Sequence, residues 1–415
     1  VQAILILFRS QQNIIRHYLL STIMKAALFI VSYFVIGFSN VFAQQWTSIS
    51  SFPGTQRDDG VSFVINDEAY CGTGLEVGWT PTRNFYKLNM NSDTWSQVSA
   101  MPVGKERQYA CGFSYQGYGY VFGGINNNVL NDLWRYDATA NTWTQLSAKP
   151  GEGLAGSACF TLPDTAIIIG GNNSSTSASK QVWAYIISSD HWVRLSDLPN
   201  KGLWRASACN VNGIGYLLGG KDSLCLLNPN VYQYHSSQDN WSIIHSSNVS
   251  ARIYASCVST QSQLVLLAGI DSSGIYHDEM QQFDFTSQAW IELLPKMPSA
   301  RKGGMCFTNY FNLYYSTGID SADVRLNATI KIDKPTLINE SSDSGSLITY
   351  PQPATEKVFF NSRSCDEIVL FTMHGEILAQ SFFTNELDIS QYQKGNYMAR
   401  VKLNGSYFLR PIIKL

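Results

Sequence analysis

Charge is scarce in this chain. Asp, Glu, Lys and Arg make up 14% of its 415 residues, and the net charge is -2. That balance gives no electrostatic reason to expect nucleic acid or an anionic membrane as a partner. Long apolar runs are missing too. The most apolar stretch, residues 26–38, has 13 residues, short of the roughly 20 that cross a bilayer as a helix, so no transmembrane segment is expected in the mature chain. Histidines are few: after Met24 only His191, His235, His245, His277 and His374 occur, without metal-ligand spacing. The sequence has no His-Glu-x-x-His, Gly-x-Ser-x-Gly, P-loop or Cys-x-x-Cys, so no metal, cofactor or common catalytic centre is expected. "GTGLEVG" at 72–78 follows a strand-like run and opens no helix, which removes it as a nucleotide loop. No window offers a long amphipathic helix.

Aromatics, by contrast, reach 13%, and Gly, Ser and Asn are abundant. This composition suits a β-rich extracytoplasmic protein. Residues 24–43, "MKAALFIVSYFVIGFSNVFA", read as a signal peptide: Lys25 is the positive end, and Val41-Phe42-Ala43 offers a small-residue cleavage site. Residues 1–23 precede a good initiator, Met24, and are expected to be upstream sequence. Five cysteines, Cys111, Cys159, Cys209, Cys257 and Cys306, recur 48–50 residues apart. That rhythm points to one small residue at the same buried strand position in successive units rather than to a disulfide framework.

Periodicity is the strongest signal. Trp46, Trp95, Trp143, Trp192, Trp241 and Trp290 are spaced by 49, 48, 49, 49 and 49. A glycine closes an apolar run in "YCGTG", "YVFGG", "IIIGG", "YLLGG", "LLAG" and "YYSTG". Each unit reads as four short strands: one after an Arg, one ending in Gly-Gly, a third such as "LWRYD", and a fourth led by Trp. These marks resemble the kelch repeat over residues 46–333, and the chain resembles secreted bacterial kelch proteins. The resemblance implies an all-β, six-bladed β-propeller over residues 44–333, its blades packed around a channel. Copper radical oxidases also use kelch-like propellers, but no convincing set of Tyr and His ligands is present. The last unit lacks a Trp strand and the first Trp precedes any unit, so "WTSIS" at 46–50 is expected to supply the last blade's outer strand.

Residues 334–349 are a Ser-rich linker, and 350–415 follow another pattern, with glycines between alternating strands: a small β-sandwich. "YPQPA" at 350–354 and "LDISQYQKGNYMARV" resemble the C-terminal sorting domain of the type IX secretion system. This implies export to the outside or the outer-membrane surface of a Gram-negative bacterium, with the secretion machinery as partner.

Arg57, Arg107, Arg205, Arg252 and Arg301 are placed at the start of the inner strand in five units, with Leu154 in the third. Loops entering that strand and loops after Gly-Gly share one propeller face. Five guanidiniums there would suit a carboxylate or sulfate; bonding to blade carbonyls is the scaffold alternative. Of ten tryptophans only Trp79 and Trp204 are not explained by the repeat, and both map to this face, where indoles stack on sugars or apolar ligands. Tyr276 and His277 are weaker candidates. Asp58 and Asp59, adjacent on a strand, are expected to point to opposite faces, and Glu76 and Glu279 to stand alone. The expected function is a glycan-, peptide- or protein-binding module, with a carbohydrate-active enzyme such as a sialic-acid epimerase as the alternative.

Overall fold

The computed structural model describes residues 45–244, 251–260, 263–285, 287–309, 312–333, 349–350, 353–360, 365–372, 377–403 and 406–415. The expected upstream stretch, the signal peptide and residues 334–348 of the linker lie outside these.

Among the described residues, 45–333 form six four-stranded antiparallel sheets. Their inner strands are Val61–Ile65, Cys111–Tyr115, Ala158–Leu162, Trp204–Val211, Ser256–Thr260 and Met305–Thr308. Each packs against the next, and the sixth against the first, which closes a circle of blades into a β-propeller. The alternation in "VSFVI" buries Val61, Phe63 and Ile65, while second strands such as Tyr118–Phe122 are buried on both faces because blades cover each side. Faces interlock through aromatics: Tyr70 of the first blade lies 5.3 Å from Tyr136 of the second. Gly119 is required here, because a Cβ on it would come within 2.0 Å of the Phe63 ring.

The recurring tryptophans tie blades together. Trp95, Trp143 and Trp192 donate their indole N–H to Ser50, Ser99 and Ser147 carbonyls, each at the end of the preceding blade's outer strand. Trp46 makes the corresponding bond to Pro295. Thr47–Ser48 pairs antiparallel with Thr329–Asp333, Thr47 opposite Lys331. The opening "WTSIS" thus joins the sixth sheet as its outer strand.

The cysteine rhythm needs correction. Strand register places Cys159, Cys257 and Cys306 at one inner-strand position, shared with Ser62, Gly112 and Ala208, whereas Cys111 lies one residue earlier and Cys209 one later. Unit lengths vary by a residue or two, so equal spacing does not mean equal position. The position itself takes only small residues, because six inner strands converge there. All eight cysteines are unbridged.

The C-terminal segment forms a three-stranded sheet (Thr349–Tyr350, Lys357–Phe360, Glu386–Asp388) and a four-stranded one (Ile377–Thr384, Cys365–Thr372, Gly395–Leu403, Ser406–Lys414). Val358, Phe360, Leu370, Val401 and Ile412 from both sheets share a core: a β-sandwich.

Candidate functional site

The five arginines separate into two groups. Arg57, Arg107, Arg252 and Arg301 are almost wholly buried. Each sends Nη1 to a carbonyl sixteen residues on, at Thr73, Gly123, Ala268 or Thr317. Arg57 also pairs with Glu76 at 2.6 Å, Arg107 with Asp132 at 2.7 Å and Arg252 with Glu279 at 2.8 Å. The expectation of five guanidiniums facing a ligand is corrected for these four, which pin the loop after Gly-Gly to the inner strand. Glu76 and Glu279 do not stand alone either. Against burial, which raises it, the His277 hydrogen bond and the Arg252 charge hold Glu279 down to about 2. His277 bridges Glu279 at 2.7 Å and Asp271 at 3.4 Å.

Arg205 does not belong to this series. Leu203, buried like Leu154, holds the corresponding place in the fourth blade, and Arg205 lies two residues further on. Its counterparts are Asp59, Tyr109, Gly156, Tyr254 and Gly303. All six positions have a positive φ of 56–67°, and backbone bonds run from blade to blade through them: Tyr109 N to Asp59 O, Gly156 N to Tyr109 O, Arg205 N to Gly156 O, Gly303 N to Tyr254 O and Asp59 N to Gly303 O. The left-handed backbone lets Asp59, Tyr109, Gly156 and Gly303 each bond both neighbours, and the side chains of Asp59, Tyr109, Arg205 and Tyr254 converge. Four of the six are not glycine, and each accepts strain that a glycine would avoid.

These side chains meet. Arg205 Nη2 pairs with Asp59 Oδ1 across the channel, between the fourth and first blades. The guanidinium lies over the rings of Tyr109 at 4.6 Å and Tyr254 at 4.2 Å. Trp204 stands edge-on to both tyrosines, each 5.8 Å away, with Lys221 Nζ 4.8 Å from its ring. Lys302 caps Tyr276 at 4.8 Å. Asp58 and Asp59 are not on opposite faces, because the φ of 56° at Asp59 breaks strand alternation; both side chains come within 3.5 Å of the place a Cβ on Gly303 would take. Burial pushes the Asp59 carboxyl up to about 7, Arg205 pulling it down and Asp58 adding to the rise. Burial likewise raises the Tyr109 hydroxyl. From Asp58 the line continues outward: Arg325 Nε bonds it at 2.7 Å, and the Arg325 guanidinium lies 4.7 Å from the ring of Trp79, which is 73% exposed at the rim.

A cavity of about 120 Å³ opens among Asp59, Gly156, Arg205, Tyr254 and Gly303. Two buried donors, Nε of Arg205, which lines the cavity, and Nε1 of Trp204, which adjoins its Gly156 wall, have no acceptor among the described residues. A Cβ on Gly156 would sit 2.5 Å from Trp204 Nε1 and 3.0 Å from Arg205 Cδ, so that glycine keeps the space beside both open. Of the expected site residues, then, Trp204 and Arg205 come together and Trp79 joins them through Arg325 and the two aspartates. Sequence reasoning missed Tyr109, Tyr254, Lys221, Lys302 and Arg325. The first two could have been found by reading two residues past each Arg.

Residues 69–212 match a family model described as the Attractin/LZTR1 beta-propeller, and residues 349–414 match the secretion-system C-terminal sorting domain. Part of the chain is similar to N-acetylneuraminate epimerases. It is 32% identical over 124 residues to that of Haemophilus influenzae (strain PittEE), covering 28% of this chain and 32% of that one. It is 36% identical over 98 residues to that of Pasteurella multocida (strain Pm70), covering 22% and 24%. The matched stretches thus span a third or less of these relatives' own length. A solved structure, that of YjhT, superposes with a TM-score of 0.58 at 19% identity over 68% of this chain and 95% of that one, a likeness of fold.

Proposed function

Because the chain carries a kelch-type β-propeller and a type IX secretion-system sorting domain, we propose that it is a binding protein, secreted or held on the outer-membrane surface, whose channel mouth captures a glycan bearing a carboxylate. The sorting domain implies secretion or cell-surface attachment in bacteria and an encounter with the secretion machinery. The observation that carries the ligand class is the pair of buried donors, Arg205 Nε and Trp204 Nε1, left without acceptors beside an open cavity. A native fold rarely leaves buried donors unpaired. Four cations, Arg205, Arg325, Lys221 and Lys302, face two carboxylates at the mouth, so the balance favours an anion. Trp79 offers an exposed indole at the rim on which a sugar ring can stack. A glycan array probed with the secreted protein should light acidic glycans, and Arg205→Ala and Trp204→Ala should each abolish the signal. Unchanged binding in both variants would overturn this reading.

One observation favours a second reading, a sugar epimerase or mutarotase. Asp59, with its carboxyl at about 7, is poised to give and take a proton near neutral pH. The partial similarity to N-acetylneuraminate epimerases supports the same idea. NMR of acidic sugars incubated with the protein decides it: accelerated anomeric or epimeric exchange that Asp59→Asn removes supports catalysis, and no exchange refutes it.

A further inference from the structure

The cross-channel pair between Asp59 and Arg205 is an imperfect match for a guanidinium. Asp59 accepts from Nη2 and leaves the buried Nε without an acceptor, whereas a free carboxylate takes two parallel N–H donors of the arginine fork. Asp59 is poorly placed to turn into that arrangement. Its N–H is committed to Gly303 O, its carbonyl to Tyr109 N, and its φ is fixed at 56°. Trp204 Nε1 adjoins Gly156, one of the residues that line the cavity, and has no bond to Asp59.

Resting on the binding reading above, we propose that Asp59 is an internal stand-in for the ligand: a small organic carboxylate takes its place on Arg205, accepting from Nε and Nη2 with Trp204 Nε1 reaching the same group, and the displaced Asp59 takes up a proton. The incoming group is offered three donors where Asp59 uses one. The cavity of about 120 Å³ holds a carboxylate and a few attached atoms, and the rest of the molecule extends toward the rim. The proton follows from what surrounds Asp59. Asp58 lies on its own strand, Tyr109 on the second blade, Arg205 and Trp204 on the fourth, Tyr254 on the fifth, and Lys302, Gly303 and Arg325 on the sixth. Arg205 is the charge that most favours the ionised form, and Arg325 is taken by Asp58. Once a ligand neutralises Arg205, a buried carboxylate beside Asp58 has lost its main support, and protonation relieves it.

The sign is fixed by linkage. Below about pH 7 Asp59 already carries its proton, so affinity is flat. Above it, each ligand bound draws one proton from solution, and affinity falls about tenfold per pH unit. The test titrates the full secreted chain with glucuronate, with glucose as the neutral control, by tryptophan fluorescence from pH 6 to 9. Calorimetry at pH 8 in two buffers of different ionisation enthalpy counts the protons. Expected are binding of glucuronate but not glucose, about one proton taken up, an Asp59→Asn variant that binds on the order of tenfold tighter at pH 8 with no pH dependence, and no binding in Arg205→Lys. Binding that needs Arg205 yet takes up no proton and ignores pH would overturn the stand-in and leave the binding reading intact. Absence of glucuronate binding in both wild type and Asp59→Asn, or binding that survives in Arg205→Lys, would overturn both. Should Asp59→Asn not fold, the proton count on the wild type decides alone.

Discussion

Arg107 and Arg205 both lie at the entry to an inner strand, in the second and fourth blades, yet removing them should have different results. Arg107 has no exposure, and cutting it back removes two bonds from Asp132, which keeps Trp134 and Lys105, and one from the Gly123 carbonyl, so Arg107→Ala should cost about 3 kcal/mol in urea unfolding. Arg205→Ala should instead show its main effect as lost glucuronate binding. Asp59 adds a pH signature. Its folded value of about 7 lies above the ordinary 3.8, so the native state holds the proton longer than the unfolded chain. Between about pH 4 and 7 its contribution to stability therefore falls as pH rises. Denaturant midpoints of wild type minus Asp59→Asn should decline over that window, and a flat difference would contradict the buried, raised carboxyl. The arginine period was legible in the sequence, but its meaning was not. Spacings of 50, 98, 47 and 49 residues hide an offset of two, which separates a scaffold arginine from one at the channel mouth. Nor does "RDDG" announce a left-handed Asp59, the single dihedral that brings two carboxyls together.

At the scale of strands, the fourth-strand tryptophan is a strap as well as a core residue. Trp192 donates to Ser147 O at 2.8 Å, whereas Trp241 Nε1 has no acceptor among the described residues. Trp192→Phe should therefore cost about 1–2 kcal/mol more than Trp241→Phe, the worth of a bond and a stranded carbonyl, read as a difference in urea midpoint. Deleting residues 44–50 removes Trp46 and the Thr47–Ser48 pairing and exposes an open sheet edge. The loss should be about 3 kcal/mol or more, and a thermal midpoint equal to wild type would place the closure elsewhere. Strand order and the borrowed outer strand could be read from the sequence because Trp and Gly-Gly recur out of phase by one element. The blade-to-blade ring through position 59 and its counterparts could not, since it is built from backbone groups that every residue carries.

For the whole molecule, the sorting domain and the propeller have separate tasks and separate cores. Mass spectrometry of culture supernatant and surface fractions should find a mature form lacking residues 350–415; an intact C-terminus in both would argue against removal of the sorting segment. The way the circle closes also sets a clock. Thr47 and Lys331 lie 284 positions apart, so at roughly 5–20 residues per second of synthesis the first strand waits about 15–60 s for its partner. Throughout that interval the growing chain is an arc whose first strand is unpaired and whose two end blades each leave an apolar face uncovered, open to association with other chains. Any product that terminates before the sixth blade keeps them permanently.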